Sequence, residues 1–214
     1  MIYLLFRDRE DAGLKLADEI IKKKPSNPVI LCIPRGGVVV GVKVAEKIHA
    51  PLDLIIPRKI GSPENPEVAV GAVAQDGSTF LNEELVSLIG IERSTLKEII
   101  ESEVKEIERR MTKYRGSAIY PEFKKNTLII VDDGAATGYT MLAAARFARE
   151  TLAPARLVLA VPVAPPDTLE LFKKEADEVV CLNSPEPFYA VGQFYIDFDQ
   201  TEDREVLSIL ERYE

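Results

Sequence analysis

Short apolar runs alternate with amphipathic, helix-length stretches along most of this chain, and that alternation most constrains its fold. A run that is apolar throughout must be covered on both faces, and strands separated by helices run parallel. The pattern therefore predicts an α/β fold, an open parallel β-sheet flanked by helices. The runs "PVILCI" (28–33), "LDLIIP" (52–57), "TLIIV" (127–131), "ARLVLAV" (155–161) and "DEVVCL" (177–182) read as strands. Residues 10–24 read as a helix with Leu14, Ala17 and Ile21 on one face and lysines in the last turn. "GGVVVGVKVAEKIHA" has the valines of a strand, but its leading glycines and its "AEKIHA" close make it a helix. Helices are also expected over 138–150, over "PPDTLELFKKEA", which proline begins, and over the closing "EDREVLSILERY".

Three segments stand apart. Residues 61–81 are turn-rich and then read as two short strands around Asp76-Gly77, a β-hairpin flap. Residues 95–115 carry Ile100, Val104, Ile107, Met111 and Tyr114 at four- and three-residue steps. Such a stripe packs on its own domain more often than on a second subunit, although a homodimer is open to it, and the charges between read as a solvated face. Residues 183–200 collect aromatics among turn residues and suggest a small C-terminal hood. All 214 residues fit one domain, long enough to bury a core unaided.

Charge and composition exclude some partners. The net charge of -8, with no basic tract denser than "IKKK", disfavours nucleic acid. No apolar run is long enough for a membrane span, and the N-terminal "MIYLLFRDRED" meets acid too early for a signal peptide, so a cytoplasmic protein is expected. Cys32 and Cys181 sit in apolar runs and read as buried, reduced thiols. The single histidine, His49, stands near a helix end and argues against His-based catalysis.

The chemistry concentrates in "IIVDDGAATGYT". The buried strand ends in two adjacent carboxylates, Asp132 and Asp133; Gly134, Thr137, Gly138 and Thr140 then lead into a helix. Taken alone, Asp-Asp-Gly is an ordinary strand-to-turn cap. After an apolar strand and before a helix N-terminus it gains a second meaning. The turn's backbone N–H groups and hydroxyls suit a phosphate, and the carboxylates suit the cis-diol of a ribose or a Mg²⁺ that the diol shares. Neither a P-loop nor a dinucleotide fingerprint is present.

"LIIVDDGAATGYT" resembles the signature of the type I phosphoribosyltransferases, and "IPRGG", "PRKIG" and the aromatic hood agree with that family along the rest of the chain. The resemblance implies the type I phosphoribosyltransferase fold and a pentosyltransferase that takes ribose 5-phosphate from 5-phosphoribosyl 1-diphosphate to a nitrogen of a heterocyclic base, with Mg²⁺ and release of diphosphate. It gives Asp132 and Asp133 the ribose hydroxyls, directly or through Mg²⁺, and gives residues Ala135, Ala136, Thr137, Gly138 and Thr140 the 5-phosphate. Arg35, Gly36 and Gly37 would form the diphosphate loop, joined by Arg58 and Lys59 at the end of a strand. Glu67 and the hairpin after it would be a mobile cover, and Phe188 and Tyr189, ahead of Phe194 and Tyr195, would stack on the base. Two departures count against a 6-oxopurine acceptor: Ala136 stands where an acid is usual, and "VPVAPP" has no lysine after its strand. The competing readings are a non-catalytic regulator that binds nucleotides or phosphoribosyl diphosphate, and an interaction protein that uses the 100–114 stripe.

Overall fold

A computed structural model of the protein describes residues 5–66 and 68–213. Five parallel strands form its centre: β1 Pro28–Cys32, β2 Leu52–Leu54, β6 Thr127–Val131, β7 Arg156–Val163 and β8 Glu178–Asn183, in the order β2-β1-β6-β7-β8. Every residue of β6 is buried, as its uninterrupted "TLIIV" requires of a central strand. Each such side chain removed from water contributes about 1.5–3 kcal/mol before chain entropy is counted. On one face of the sheet pack α1 (Arg9–Lys22), α2 (Gly36–Ile48) and α7 (Asp203–Tyr213). The other face carries α5 (Tyr139–Phe147) and α6 (Pro166–Glu175).

Several elements differ from the sequence expectation. In α1 the buried face is Ala12, Leu16, Ala17 and Ile20, whereas Leu14 and Ile21 are nearly half exposed. Gly13 sets that face: a Cβ there would sit 2.5 Å from the Val40 carbonyl of α2, so the two helices touch backbone to backbone. The strand expected over 52–57 stops at Leu54. Ile55–Pro57 cross to a second sheet, and Arg58 and Lys59 begin its first strand, β3 (Arg58–Gly61), instead of ending β2. The expected hairpin, β4 (Ala69–Val73) and β5 (Thr79–Leu81), is thereby extended to a three-stranded antiparallel sheet, β3-β4-β5. Val70, Ala72 and Val73 are buried, and Phe80 stacks on Tyr139 of α5 at 5.7 Å between ring centres. Glu67, expected in the cover, lies outside the described residues.

Helix α3 (Glu83–Ile89) was not foreseen, although Asn82 caps it by accepting the Leu85 N–H at 3.0 Å and Gly90 ends it in the left-handed region. The long helix α4 (Arg93–Arg115) buries Leu96, Ile107, Met111 and Tyr114 within the chain's own core. Its other face is not simply solvated. Arg115 makes a two-pronged pair with Asp53 at 2.5 and 2.7 Å, and Lys113 pairs with Asp203. Cys32 is buried but Cys181 only half so, and both are free thiols; His49 ends α2 in the left-handed region.

Candidate functional site

The order of strands reverses between β1 and β6. From β1 the chain steps outward to β2, and from β6 it steps the other way through β7 to β8. The turns leaving β1 and β6 therefore lie side by side at the carboxyl edge of the sheet, the place where open α/β sheets bind ligands. One is Pro34–Gly37, whose Pro34–Arg35 peptide is cis; the other is Asp132–Gly138.

These two turns touch. A Cβ added to Gly37 would lie 2.9 Å from Asp132 Oδ1, and one added to Gly36 would lie 1.9 Å from Asp133 Oδ2. The glycines were expected to admit an anion; the contact they make in the structure is with the two carboxylates. Asp132 Oδ1 also accepts the Asp133 N–H at 2.8 Å. Burial and the adjacent Asp133 charge push the Asp132 carboxyl well above the usual carboxylate range. Burial raises Asp133 as well, against the opposing pull of Arg9.

Arg9 is the residue that sequence reasoning missed. From the first turn of α1 its Nε donates to Asp133 Oδ2 at 2.7 Å and its Nη1 to the Asp199 carbonyl at 2.7 Å. Its guanidinium carbon lies 3.8 Å from the centre of the Phe198 ring. The Tyr195 hydroxyl donates to the Asp133 carbonyl at 2.6 Å. The C-terminal segment is in turn stitched to the N-terminal one, with the Phe6 N–H donating to the Phe194 carbonyl and the Ile196 N–H to the Phe6 carbonyl, each at 2.9 Å. Nothing in "FRDRED" marks Arg9 except that it stands beside Asp8, the N-cap of α1.

Behind the carboxylates the chain enters α5 through Gly138, whose φ of 71° and close approach to Phe172 and Thr168 leave no room for a side chain. No side chain caps α5, so its first N–H groups face the turn. Thr137 is exposed and Thr140 half-buried, and among the described residues neither hydroxyl has a protein partner. Ala135 is a correction: its N–H donates to the Val163 carbonyl at 2.9 Å and is not available to a phosphate. The Ala136 carbonyl accepts from the Thr168 hydroxyl at 2.6 Å.

The expected cations lie further out. Arg35 Nη1 sits 3.4 Å from Asp203 Oδ1, which also accepts from the Tyr114 hydroxyl at 2.5 Å. Lys113 first, with Tyr114 and Arg35, holds the Asp203 carboxyl well below the usual range. Arg58 Nε donates to Glu103 Oε2 of α4 at 2.6 Å, and Lys59 beside it is exposed. Of the expected stacking residues, Phe188 packs on Phe194 at 5.2 Å between ring centres, whereas Tyr189 is 82% exposed. Among the described residues no group of three or more His, Cys, Asp or Glu could hold a metal ion, so a cation at Asp132 and Asp133 would need oxygens from a ligand or water.

Comparison with known proteins places the chain among relatives of one family. A family model described as "Phosphoribosyl transferase domain" matches residues 6–199. A provisionally named phosphoribosyl transferase of Mycobacterium tuberculosis (strain H37Rv) is 41% identical over 208 residues, covering 97% of this chain and 47% of its own. The chain thus spans about half the length of the curated relatives it matches. The crystal structure of a Thermus thermophilus protein, TT1426, is 38% identical with a TM-score of 0.81, covering 98% of this chain and 99% of that one. A hypothetical protein from Neisseria gonorrhoeae, crystallised with bound ppGpp, covers 100% of this chain and 99% of its own at 10% identity with a TM-score of 0.52, a likeness of fold alone.

Proposed function

The chain belongs to the phosphoribosyl transferase family, and from that premise we propose that it transfers ribose 5-phosphate from 5-phosphoribosyl 1-diphosphate to a ring nitrogen of a heterocyclic base and releases diphosphate. The observation that carries this reading is the half-buried pair Asp132 and Asp133 at the end of β6, directly ahead of the uncapped N-terminus of α5. In this reading the pair takes the ribose diol, and the N–H groups that open α5, with Thr137 and Thr140, take the 5-phosphate.

Displacement at C1 of the ribose passes through an oxocarbenium-like state, for which the protein needs no nucleophile of its own. Its work is orientation, stabilisation of the departing diphosphate and exclusion of water, and orientation alone can supply about 7–11 kcal/mol. Arg35, Arg58 and Lys59 are the groups to meet the diphosphate, and Arg58 offers two terminal nitrogens beyond the one that Glu103 holds. Mg²⁺ fits the donor set where the substrate's own oxygens complete its coordination, since Asp132 and Asp133 supply too few oxygens by themselves. It would neutralise diphosphate charge. The base would lie under the 183–200 segment, with Phe188 and Tyr189 at its edge.

The test is thermal unfolding with Mg²⁺ and phosphoribosyl diphosphate in the wild type and in Asp132→Asn, followed by diphosphate release against a panel of heterocycles. Ligand at a hundred times its Kd adds about 2.7 kcal/mol of stability, which the variant should lose. Stabilisation without turnover on any base would favour the regulatory reading; no stabilisation would remove the site assignment.

A further inference from the structure

Two carboxylates side by side would ordinarily make a weak divalent-cation site in the empty protein. Arg9 alters that. Its Nε lies 2.7 Å from Asp133 Oδ2 in a largely enclosed contact, the two side chains being 11% and 17% exposed. Arg9 therefore cancels one unit of the negative charge that the two carboxylates can carry. The guanidinium is not free to swing aside, because the Asp199 carbonyl takes a second donor and the Phe198 ring lies across its face. Gly36 packs against both partners: a Cβ there would sit 1.9 Å from Asp133 Oδ2 and 2.7 Å from Arg9 Nε.

We propose that Arg9 is a positioning residue that keeps the acidic pair closed to a bare divalent cation, so that the metal is taken up only together with a phosphorylated sugar whose own oxygens and negative charge complete the site. This deepens the transferase reading and rests on it for the identity of the sugar phosphate. With Asp133 engaged by Arg9, Asp132 is the carboxylate left to face the ligand. A neutral side chain at position 9 removes that countercharge from a part-buried pair, where screening by salt is weak, and a dication can take its place by displacing any proton the two carboxylates share.

The test uses Mn²⁺ as the probe, with free metal counted by electron paramagnetic resonance, on wild type, Arg9→Gln and Arg9→Lys, each first shown folded by thermal unfolding. Wild-type protein alone should bind Mn²⁺ weakly. Arg9→Gln should bind it at least about tenfold more tightly. Arg9→Lys keeps the charge but loses the stacking and the second donor, and should stay close to wild type although it unfolds earlier. Arg9→Met, which keeps an unbranched stem over Phe198, stands in if Arg9→Gln does not fold. In the double variant Arg9→Gln/Asp133→Asn the affinity should return to the wild-type level. Unchanged affinity in Arg9→Gln, or equal tightening in Arg9→Lys, overturns the proposal, since either result removes charge as the cause. A parallel series adds phosphoribosyl diphosphate: wild type should then take up Mn²⁺. Failure there counts against the transferase reading, while the sugar-free comparison still decides the role of Arg9.

Discussion

Replacing Gly36 by alanine tests whether the two loops meet as closely as described. The added Cβ would lie 1.9 Å from Asp133 Oδ2 and 2.7 Å from Arg9 Nε, where real Cβ contacts almost never fall below 3.0 Å. The carboxylate must therefore retreat by about 1 Å, and it cannot do so without stretching its contact with Arg9. Overpacking of this kind costs about 1–3 kcal/mol. For a chain of this size that is a fall in Tm of about 2–4 °C per kcal/mol. The functional loss should be out of proportion, because a reacting group misplaced by about 1 Å costs on the order of 10²-fold in rate. Gly90→Ala is the control. It must adopt a φ of 75° but meets nothing within 4 Å, so it should lose about 1–2 kcal/mol from backbone strain alone. Calorimetric titration with phosphoribosyl diphosphate and Mg²⁺ separates the two. Gly36→Ala should bind at least about tenfold more weakly, and Gly90→Ala as wild type. Wild-type binding by Gly36→Ala, or equal loss in both, would refute the reasoning.

Two further predictions concern the charged network on α4. Arg115 grips Asp53 through two nitrogens, donates to the Ser117 carbonyl at 2.6 Å and lies 4.0 Å from the Tyr120 ring centre. Arg115→Ala should cost about 3 kcal/mol in urea unfolding, because it strands a part-buried carboxylate, and Arg115→Lys should recover only part of that. Glu106 is held down from 4.5 to about 2 by hydrogen bonds from Arg109 and then Arg110. Its stabilisation is therefore present above 4.5 and lost as pH falls through about 2, so melting curves of Glu106→Gln should flatten in that window and hardly differ in slope above it.

How far the sequence could be read follows from the range over which each signal acts. Strands β1, β6, β7 and β8 were legible because a run apolar on both faces has few other places to go. The helices α2 and α6 carried their own punctuation in glycine and proline. Helix α3 was equally well marked, by Asn82 and Gly90, and was passed over because its seven residues are too few for a periodicity to show. The buried face of α1 was misread for a different reason. Hydrophobic spacing favoured Leu14 and Ile21, but the close backbone contact at Gly13 turns Leu16 and Ile20 inward. A residue with no side chain contributes nothing to a hydrophobic pattern and yet fixed the packing here. The switch of sheets at Ile55–Pro57 was hidden too, since an apolar run does not say which sheet it joins.

At the site the division is sharper. The acidic pair and the glycine turns are local in sequence and were found. The partners of their charges are not local: Arg9 meets Asp133 across 124 residues, Arg35 meets Asp203 across 168, and Arg58 meets Glu103 across 45. Each partner stands near a helix end or on a helix face, where a charged residue has an adequate local explanation as a cap or a solvated group. Only the order of the strands, which brings α1 and the 183–200 segment over the end of β6, turns those ordinary positions into counter-charges. A half-buried pair of carboxylates is relieved by a shared proton or by a cation from elsewhere in the fold. That requirement could have been stated from Asp132 and Asp133 alone, although the identity of the cation could not. Arg9 meets it at Asp133, and the same contact ties the first helix and the C-terminal aromatics to the charge balance of the site.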